Sequence, residues 1–539
     1  MHQQQSTDRG RAEDCGDENM PIEWKPQRRD LFLMAILAML SLMVALDACV
    51  IVTSLHYVRR LLDRYGLSAS QRRNDAFIAE LSHVLGRRLC LTASVAFFAL
   101  GTIACCLSHS IGLMLVGRSL QGVGGGGIMV LCLVIFTDLV PLRQRPKWYG
   151  IVSFHSQGAW ALGNCAGPIL GGVIAQNTTW RWIFYIMFPF CAAGFVLVPC
   201  SANVESSAAP MNERLRKMDW LGNALFVCSA TLLLVAVSWG GLRYSWSSIG
   251  TLLPLVFGAA GMALTVMYEY RFAAYPFLRG RLFQTAGSIA TYACGTIQGL
   301  VMYGQLYYVP LYFMDVKSFT PVQTGIALFP VMFTLVPASI ITGRLVTQQD
   351  NYRNPIWAGW TLASIASGLM LLWDVDTPAK VWAPTLVLLG LGHGAILNAQ
   401  NMASQAICDD GDEGAAAAMY SFLRQFGMAL GVGIGGSTFQ NVMLLKLENY
   451  GSLGSDARGD THAVAAMLRS STDAELRAKI LDAYVYGLRG VYGLYVGMSG
   501  AALLMSLLVK RVPLKKELHS EHRIDAKGPG QGGVRLSQG

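Results

Sequence analysis

Two stretches of this sequence place chargeable side chains among apolar ones. Asp47 stands in LDACVIVTSL (46–55), and Arg118 stands with Gln121 in GRSLQGVGGGGIMVL (117–131). Arg118 and Gln121 are three residues apart, so on a helix they share a face. A carboxylate in such surroundings can pick up and release a proton, and a guanidinium stays charged. Set beside a carboxylate, the guanidinium favours the ionised form and biases proton release. Two readings are open for each. Asp47 takes part in proton coupling or gating, or it pairs with a neighbouring helix only to hold the fold. Arg118 is part of that device, or it is a static clamp. The glycine run 124–127 would let another helix approach closely. It is not a phosphate-cradling loop, because no Lys-Ser/Thr follows it.

A third stretch, GNCAGPILGG (163–172), repeats glycine every four residues at Gly163, Gly167 and Gly171, with Gly172 following. This is a doubled small-xxx-small face for tight helix packing. Pro168 removes a backbone hydrogen bond and kinks the helix. A smooth, kinked face suits either two parts that move against each other or plain close packing. Further polar residues interrupt apolar runs: His155, Gln298, His393, Asn398, Asn401 and Arg424. Singly, each reads as a satisfied packing contact; together they could line a cavity. The aromatic stripe MYGQLYYVPLYF (302–313), which includes Tyr303, reads as interhelical or lipid-facing packing, or as an aromatic wall for flat organic ligands. The acidic DDGDEG (409–414) lacks the twelve-residue calcium pattern and reads as a solvated loop.

The elements that must carry these residues are membrane helices. Of 539 residues, 53% are hydrophobic and only 14% charged, and the mean hydropathy is +0.40. Soluble chains carry about 25% charged residues. Thirteen apolar runs are visible, near 31–55, 89–107, 111–137, 149–175, 183–202, 220–239, 249–269, 286–313, 322–343, 356–373, 383–404, 415–440 and 491–509. Backbone groups in lipid must be satisfied internally, and no alternating ten-residue pattern marks a barrel, so the expected class is all-α. The 57 glycines suit close helix packing, and the 12 cysteines, mostly within apolar runs and without CxxC spacing, read as packing residues. No metal ligand set or cofactor motif stands out. The net charge of +9 reads as topogenic charge in loops rather than a nucleic-acid surface.

The basic loops set the orientation. Arg143, Arg145 and Lys147, then Arg214, Arg216 and Lys217, then Arg271, Arg279 and Arg281, then Arg344 and Arg353, and finally Lys510, Arg511, Lys515 and Lys516 mark the cytoplasmic side. Lys25, Arg28 and Arg29 before the first run, and Arg87 and Arg88 before the second, belong to the same set. Two cytoplasmic ends require a further crossing between Leu55 and Arg87. Residues 56–86 carry Arg59, Arg60, Asp63, Arg64, Arg72, Arg73, Asp75 and Glu80. One charge at a helix centre costs about 2.5–3.5 kcal/mol on the insertion scale, so a span there is poorly formed. The expectation is a local deletion or a gene-model error in this region.

Taken together, the motifs resemble those of the major facilitator superfamily, in its fungal branch of 14-span drug:proton antiporters. LDACVIV is similar to that branch's LDxTIV first-span motif, with Cys49 for Thr. LSHVLGRR (81–88) resembles the GxLSDxxGRR hinge, with Ala79 for Gly and His83 for Asp. GRSLQGVGGGG resembles the RxxQG motif, and GNCAGPILGG the GxxxGPxxGG antiporter motif. TTWRWIFYIMFP (178–189), KMDWLGNAL (217–225) and PVQTGIALFP (321–330) look typical of the branch.

The resemblance implies two six-helix halves with two extra linking spans. The expected layout is a cytoplasmic tail at 1–30, an N-terminal half at 31–202, a linker at 203–285 with spans near 220–239 and 249–269, a C-terminal half at 286–509 with an external loop at 441–490, and a cytoplasmic tail at 510–539. The loop is expected to hold an amphipathic helix in DAELRAKILDAYVYGLRG (473–490), and the N-terminal tail is expected not to be a signal peptide. The implied function is proton-driven export of a lipophilic small molecule (a drug, toxin or secondary metabolite) by alternating access, with protons as the coupling ion. It implies a monomer in the lipid bilayer of the plasma membrane, or else of the vacuole. Asp47, Arg118, Gln121, His83, Arg87 and Arg88 become coupling and gating candidates. His155, Gln298, Tyr303, His393, Asn398 and Arg424 become cavity candidates. The alternatives are an uptake carrier or uniporter for a siderophore or other small metabolite, and a degenerate homologue that transports nothing. A membrane enzyme is disfavoured, because no HxxxH, HExxH or Ser/His/Asp constellation appears.

Overall fold

The computed structural model describes residues 28–62, 87–139, 178–201, 219–240, 244–273, 278–409, 411–450 and 474–512, with residues 163, 166–167, 169–171 and 173–174 between them. The interrupted stretch at 63–86, with the expected missing span, lies outside the described residues, as do His83, His155, Pro168 and Gly172.

In the N-terminal part, α1 (Arg28–Leu62), α2 (Arg87–Cys106), α3 (Ile111–Leu139), the short α4 (Trp182–Tyr185) and α5 (Met187–Ser201) follow the apolar runs. Two helices then stand apart in sequence, α6 (Trp220–Trp239) and α7 (Ile249–Arg271). The C-terminal part contains α8 (Ala286–Leu311), α9 (Pro321–Ala327), α10 (Phe329–Gln349), α11 (Arg353–Met370), α12 (Ala379–Ile407), α13 (Glu413–Glu448) and α14 (Ala474–Ser506). Among the described residues, nine helices or helix pairs are long and apolar enough to cross a membrane. Of the thirteen runs, 149–175 is described just in part, and 183–202 is described as far as Ser201.

Each part has its own core. Leu37, Leu40, Met43, Leu91, Val95, Phe98, Leu131 and Cys191 join α1, α2, α3 and α5. Tyr308, Tyr312, Phe313, Trp373, Leu389, Tyr484 and Tyr492 join α8 to α11, α12 and α14. α2 and α3 approach closely because their contact is small: a Cβ on Gly117 would lie 2.6 Å from the Cys105 thiol. Gly124 of the glycine run abuts the α2 backbone at Ser94 and Phe98. α6 lies against α13, with Phe226 and Phe422 ring centroids 5.0 Å apart. α7 turns Leu252, Leu253, Val256, Phe257, Val266 and Met267 outward, an apolar face for lipid. Val130 of α3 and Ala418 of α13 touch across the two parts.

The described basic segments around Arg279, Arg353 and Arg511 gather at one end. Arg279 pairs with Asp412 at 2.6 Å, the Tyr352 hydroxyl donates to the Lys510 carbonyl at 2.6 Å, and Arg511 donates to the Gln349 carbonyl at 3.4 Å. At the other end Arg489 of α14 reaches Asp374 at 3.1 Å.

One expected boundary needs correction. The stretch 441–490 is not all loop: α13 continues to Glu448 and α14 begins at Ala474. The segment read as an amphipathic loop helix is the first half of the last long helix. Its Ile480, Ala483, Tyr484, Val485 and Leu488 are buried in the C-terminal core. The charges that made it look external sit on its outward side and at its start, where Glu475 and Lys479 form an i,i+4 pair.

Candidate functional site

The ionisable centre of the N-terminal part is built by α1, α2 and α3. Asp47, nineteen residues into α1, is completely buried. Arg118 approaches it from α3. Its Nη1 lies 2.9 Å from Asp47 Oδ1 and 2.7 Å from Oδ2, so one nitrogen bridges both oxygens. The same nitrogen donates to Gln121 Oε1 at 2.8 Å, as the three-residue spacing allows. Gln121, also fully buried, then donates through Nε2 to Thr102 of α2 at 2.9 Å and, more weakly, to Asp47 Oδ1 at 3.4 Å. The Cys105 thiol donates to Gln121 Oε1 at 3.6 Å. The Phe184 ring of α4 lies 5.0 Å from the guanidinium carbon and covers it.

Three helices therefore meet on one charge pair. Removing either partner would leave the other charge buried and uncompensated, which costs about 3–5 kcal/mol. The pair is thus a strong tie while Asp47 is ionised, and protonating Asp47 cancels the attraction at once. The sequence pointed to Asp47, Arg118 and Gln121. It did not single out Thr102, Cys105 or Phe184. Thr102 was visible as a hydroxyl in an apolar run; Cys105 looked like packing, and Phe184 carries no signal until the fold brings it over Arg118.

The glycine face joins this centre from behind. Gly163, Gly167 and Gly171 are all buried. A Cβ on Gly163 would stand 2.6 Å from the Ala45 Cβ and 3.0 Å from the Leu46 backbone nitrogen. The helical segment around 163 thus lies on the α1 backbone immediately before Asp47. Arg181, in the TTWRW stretch, closes the α2–α3 corner: its guanidinium donates to the Cys106 carbonyl at 3.1 Å and the Ser108 carbonyl at 2.9 Å. Arg87 opens α2; Arg88 beside it is exposed and does not belong to the buried centre.

The C-terminal candidates separate into two groups. His393 of α12 is buried, with Nε2 3.2 Å from Gln305 Oε1. Gln305 donates its Nε2 to Ser367 at 2.7 Å, so its oxygen is the acceptor and His393 Nε2 carries the proton. Asn398 donates to the Ser339 carbonyl at 3.1 Å. Gln298 finds only the Met302 thioether, at 3.3 Å. Gln298 Oε1, His393 Nδ1, Asn398 Oδ1, Asn401 Nδ2 and both polar atoms of Gln400 have no hydrogen-bond partner although buried. Such atoms are costly in a dry interior. Arg424 is half-buried on α13 and Tyr303 half-buried on α8. The rest of the aromatic stripe is core: Tyr308, Tyr312 and Phe313 are buried, and the Tyr312 hydroxyl donates to the Asp374 carbonyl at 2.7 Å. Among the described residues no group of His, Cys, Asp and Glu could hold a metal ion.

A sequence model of the Major Facilitator Superfamily matches residues 76–432. The chain belongs to this superfamily. It is 33% identical to the MFS transporter L2 of Phoma sp. over 530 residues, covering 96% of this chain and 88% of that protein. It is 31% identical to the MFS efflux transporter aclA of Aspergillus oryzae over 502 residues, covering 90% of each. The fold is similar to that of the human organic anion transporter MFSD10, with a TM-score of 0.56 at 13% identity over 90% of this chain and 100% of that one. The protein is therefore a multi-pass membrane transporter of the major facilitator fold. In the transporter, the Asp47–Arg118 pair lies in one half, and the amide-rich α12 with Arg424 lies in the other.

Proposed function

We propose that the transporter exports lipophilic organic compounds in exchange for protons. The observation that carries this reading is the buried Asp47–Arg118–Gln121 centre. Asp47 is a protonatable group, the α1–α3 tie depends on its charge, and the glycine helix at 163 rests on the backbone next to it. A proton arriving at Asp47 releases Arg118 and loosens α1 from α3, which allows the halves to change their mutual arrangement. Re-ionisation restores the tie. The efflux name of the Aspergillus relative supports the outward direction. Within this reading the basic end faces the cytoplasm, the plasma membrane is the site of action, and one chain suffices because it holds both halves.

The test is transport into inside-out vesicles with an imposed pH gradient, screened over fluorescent lipophilic compounds. The expected result is accumulation that collapses when the gradient is dissipated. Accumulation that ignores the gradient contradicts proton coupling, and movement only in the opposite direction supports the uptake reading.

A further inference from the structure

Arg424 stands at mid-depth in the C-terminal half without a counter-charge among the described residues. Its Cγ would lie 3.2 Å from a Cβ on Gly299, the middle of α8. One turn earlier on α13, the Tyr420 hydroxyl donates to the Leu397 carbonyl of α12 at 3.4 Å. α12 and α13 are consecutive and antiparallel, so the α12 residue level with Arg424 is His393, the midpoint of that helix. Three helices thus place Arg424 far from both ends of the bundle. Among the described residues, the other guanidinium inside a span is Arg118, which is held by Asp47. Arg271, Arg279, Arg281, Arg353 and Arg511 sit at helix ends or in loops, Arg344 is exposed in the last turns of α10, and Arg489 of α14 reaches the Asp374 loop. No ion pair or hydrogen bond among the described residues engages the Arg424 guanidinium.

An intramembrane cation without a protein partner is costly for folding alone, so its retention points to a partner from outside the chain. The guanidinium offers that partner parallel N–H donors, which match the two oxygens of a carboxylate.

We propose that Arg424 anchors a carboxylate group of the cargo, so that the transporter's substrates are lipophilic organic acids rather than neutral or cationic compounds. The inference deepens the export reading by naming its cargo class, but binding at Arg424 stands or falls independently of coupling. Asp47 moves the proton; Arg424 holds the anion. A membrane phosphate could offer the same charge, and the test separates the two.

The test uses the full chain in phosphatidylcholine nanodiscs with dansyl-labelled undecanoate and its methyl ester as probes. The expected result is a roughly 10–100-fold preference for the acid over the ester, the range of a charge-assisted buried contact. In Arg424→Gln the acid should bind no better than the ester, and Arg424→Lys should keep part of the preference. The thermal midpoint of Arg424→Gln should not fall below that of the parent, since no ion pair or hydrogen bond of the guanidinium among the described residues is lost. Equal binding of acid and ester by the parent, or an unchanged preference in Arg424→Gln, overturns the proposal. So does a preference that is absent while added phosphatidate raises the thermal midpoint of the parent and not of Arg424→Gln, because the lipid is then the occupant. If acid preference holds but vesicles show no gradient-driven transport, the anchor stands and the export reading fails. If gradient-driven transport occurs without acid preference, the reverse holds.

Discussion

Among the described residues, each half of the transporter carries a part-buried arginine within a span, and the two are treated in opposite ways. Arg118 is compensated by a fully buried carboxylate, a glutamine and an aromatic ring. Arg424 packs against Gly299 and has no counter-charge among the described residues. The first arrangement closes on itself, and the second leaves a cation open to a partner. The two proposals together amount to a division of labour, in which the N-terminal half senses protons and the C-terminal half holds cargo.

Removing each arginine in turn should produce the largest contrast. Arg118→Gln leaves Asp47 charged and unpaired, and is expected to cost about 3–5 kcal/mol of stability. The neutral pair Asp47→Asn with Arg118→Gln should recover most of that loss. Arg424→Gln should cost nothing. Thermal unfolding in detergent reads all three, and a loss at position 424 as large as that at 118 would erase the contrast between the halves.

The next effect concerns the glycine helix that backs the proton centre. Gly163→Val should cost about 1–3 kcal/mol through overpacking. It should also slow gradient-driven transport by roughly tenfold, the equivalent of about 1.4 kcal/mol in a barrier. Gly280→Ala is the control, because its added Cβ would meet only Tyr270 Cδ2 at 4.0 Å. Equal behaviour of the two variants in vesicles would detach the glycine face from the mechanism.

How far all this was legible in the sequence differs between the same two regions. Asp47, Arg118 and Gln121 stood out because each is a polar residue in an otherwise apolar run, and their meeting needed only the fold the motifs implied. The C-terminal site was less legible. Gln298, His393, Asn398 and Arg424 were visible as interruptions, but nothing in their spacing told which would be satisfied. That depends on neighbours such as Gln305, Ser367 and Ser339, which come from other helices. The helical runs were legible from hydrophobicity. The outer ends of α13 and α14 were not, because they extend past the apolar run. Their surface there alternates core residues such as Ile480 and Tyr484 with Glu475, Lys479 and Asp482.

Smaller effects belong to the ends of the bundle, where both halves should behave alike. Arg489→Gln removes a pair to Asp374 whose side chains are 37% and 62% exposed. It should cost only about 0.2–1 kcal/mol. The smallest effect is at the α13–α14 corner. Burial pushes the Asp482 carboxyl up, but the Tyr450 hydroxyl and the Lys446 ammonium outweigh it and hold the carboxyl below its usual range. The folded value is the lower one, so this contribution is present above the ordinary carboxylate range and is lost as pH falls through the folded value. Asp482→Asn should flatten that acid-side loss in a pH series of thermal midpoints and leave neutral-pH transport intact.

The most direct test of the account compares two assays of Asp47→Asn in the same vesicles, using a compound that the parent transports. One assay is accumulation driven by a pH gradient; the other is exchange of labelled for unlabelled compound with no gradient. The account predicts that Asp47→Asn loses the first and keeps the second, because cargo still binds and the halves still move. Gradient-driven accumulation at the parent level in Asp47→Asn would contradict it.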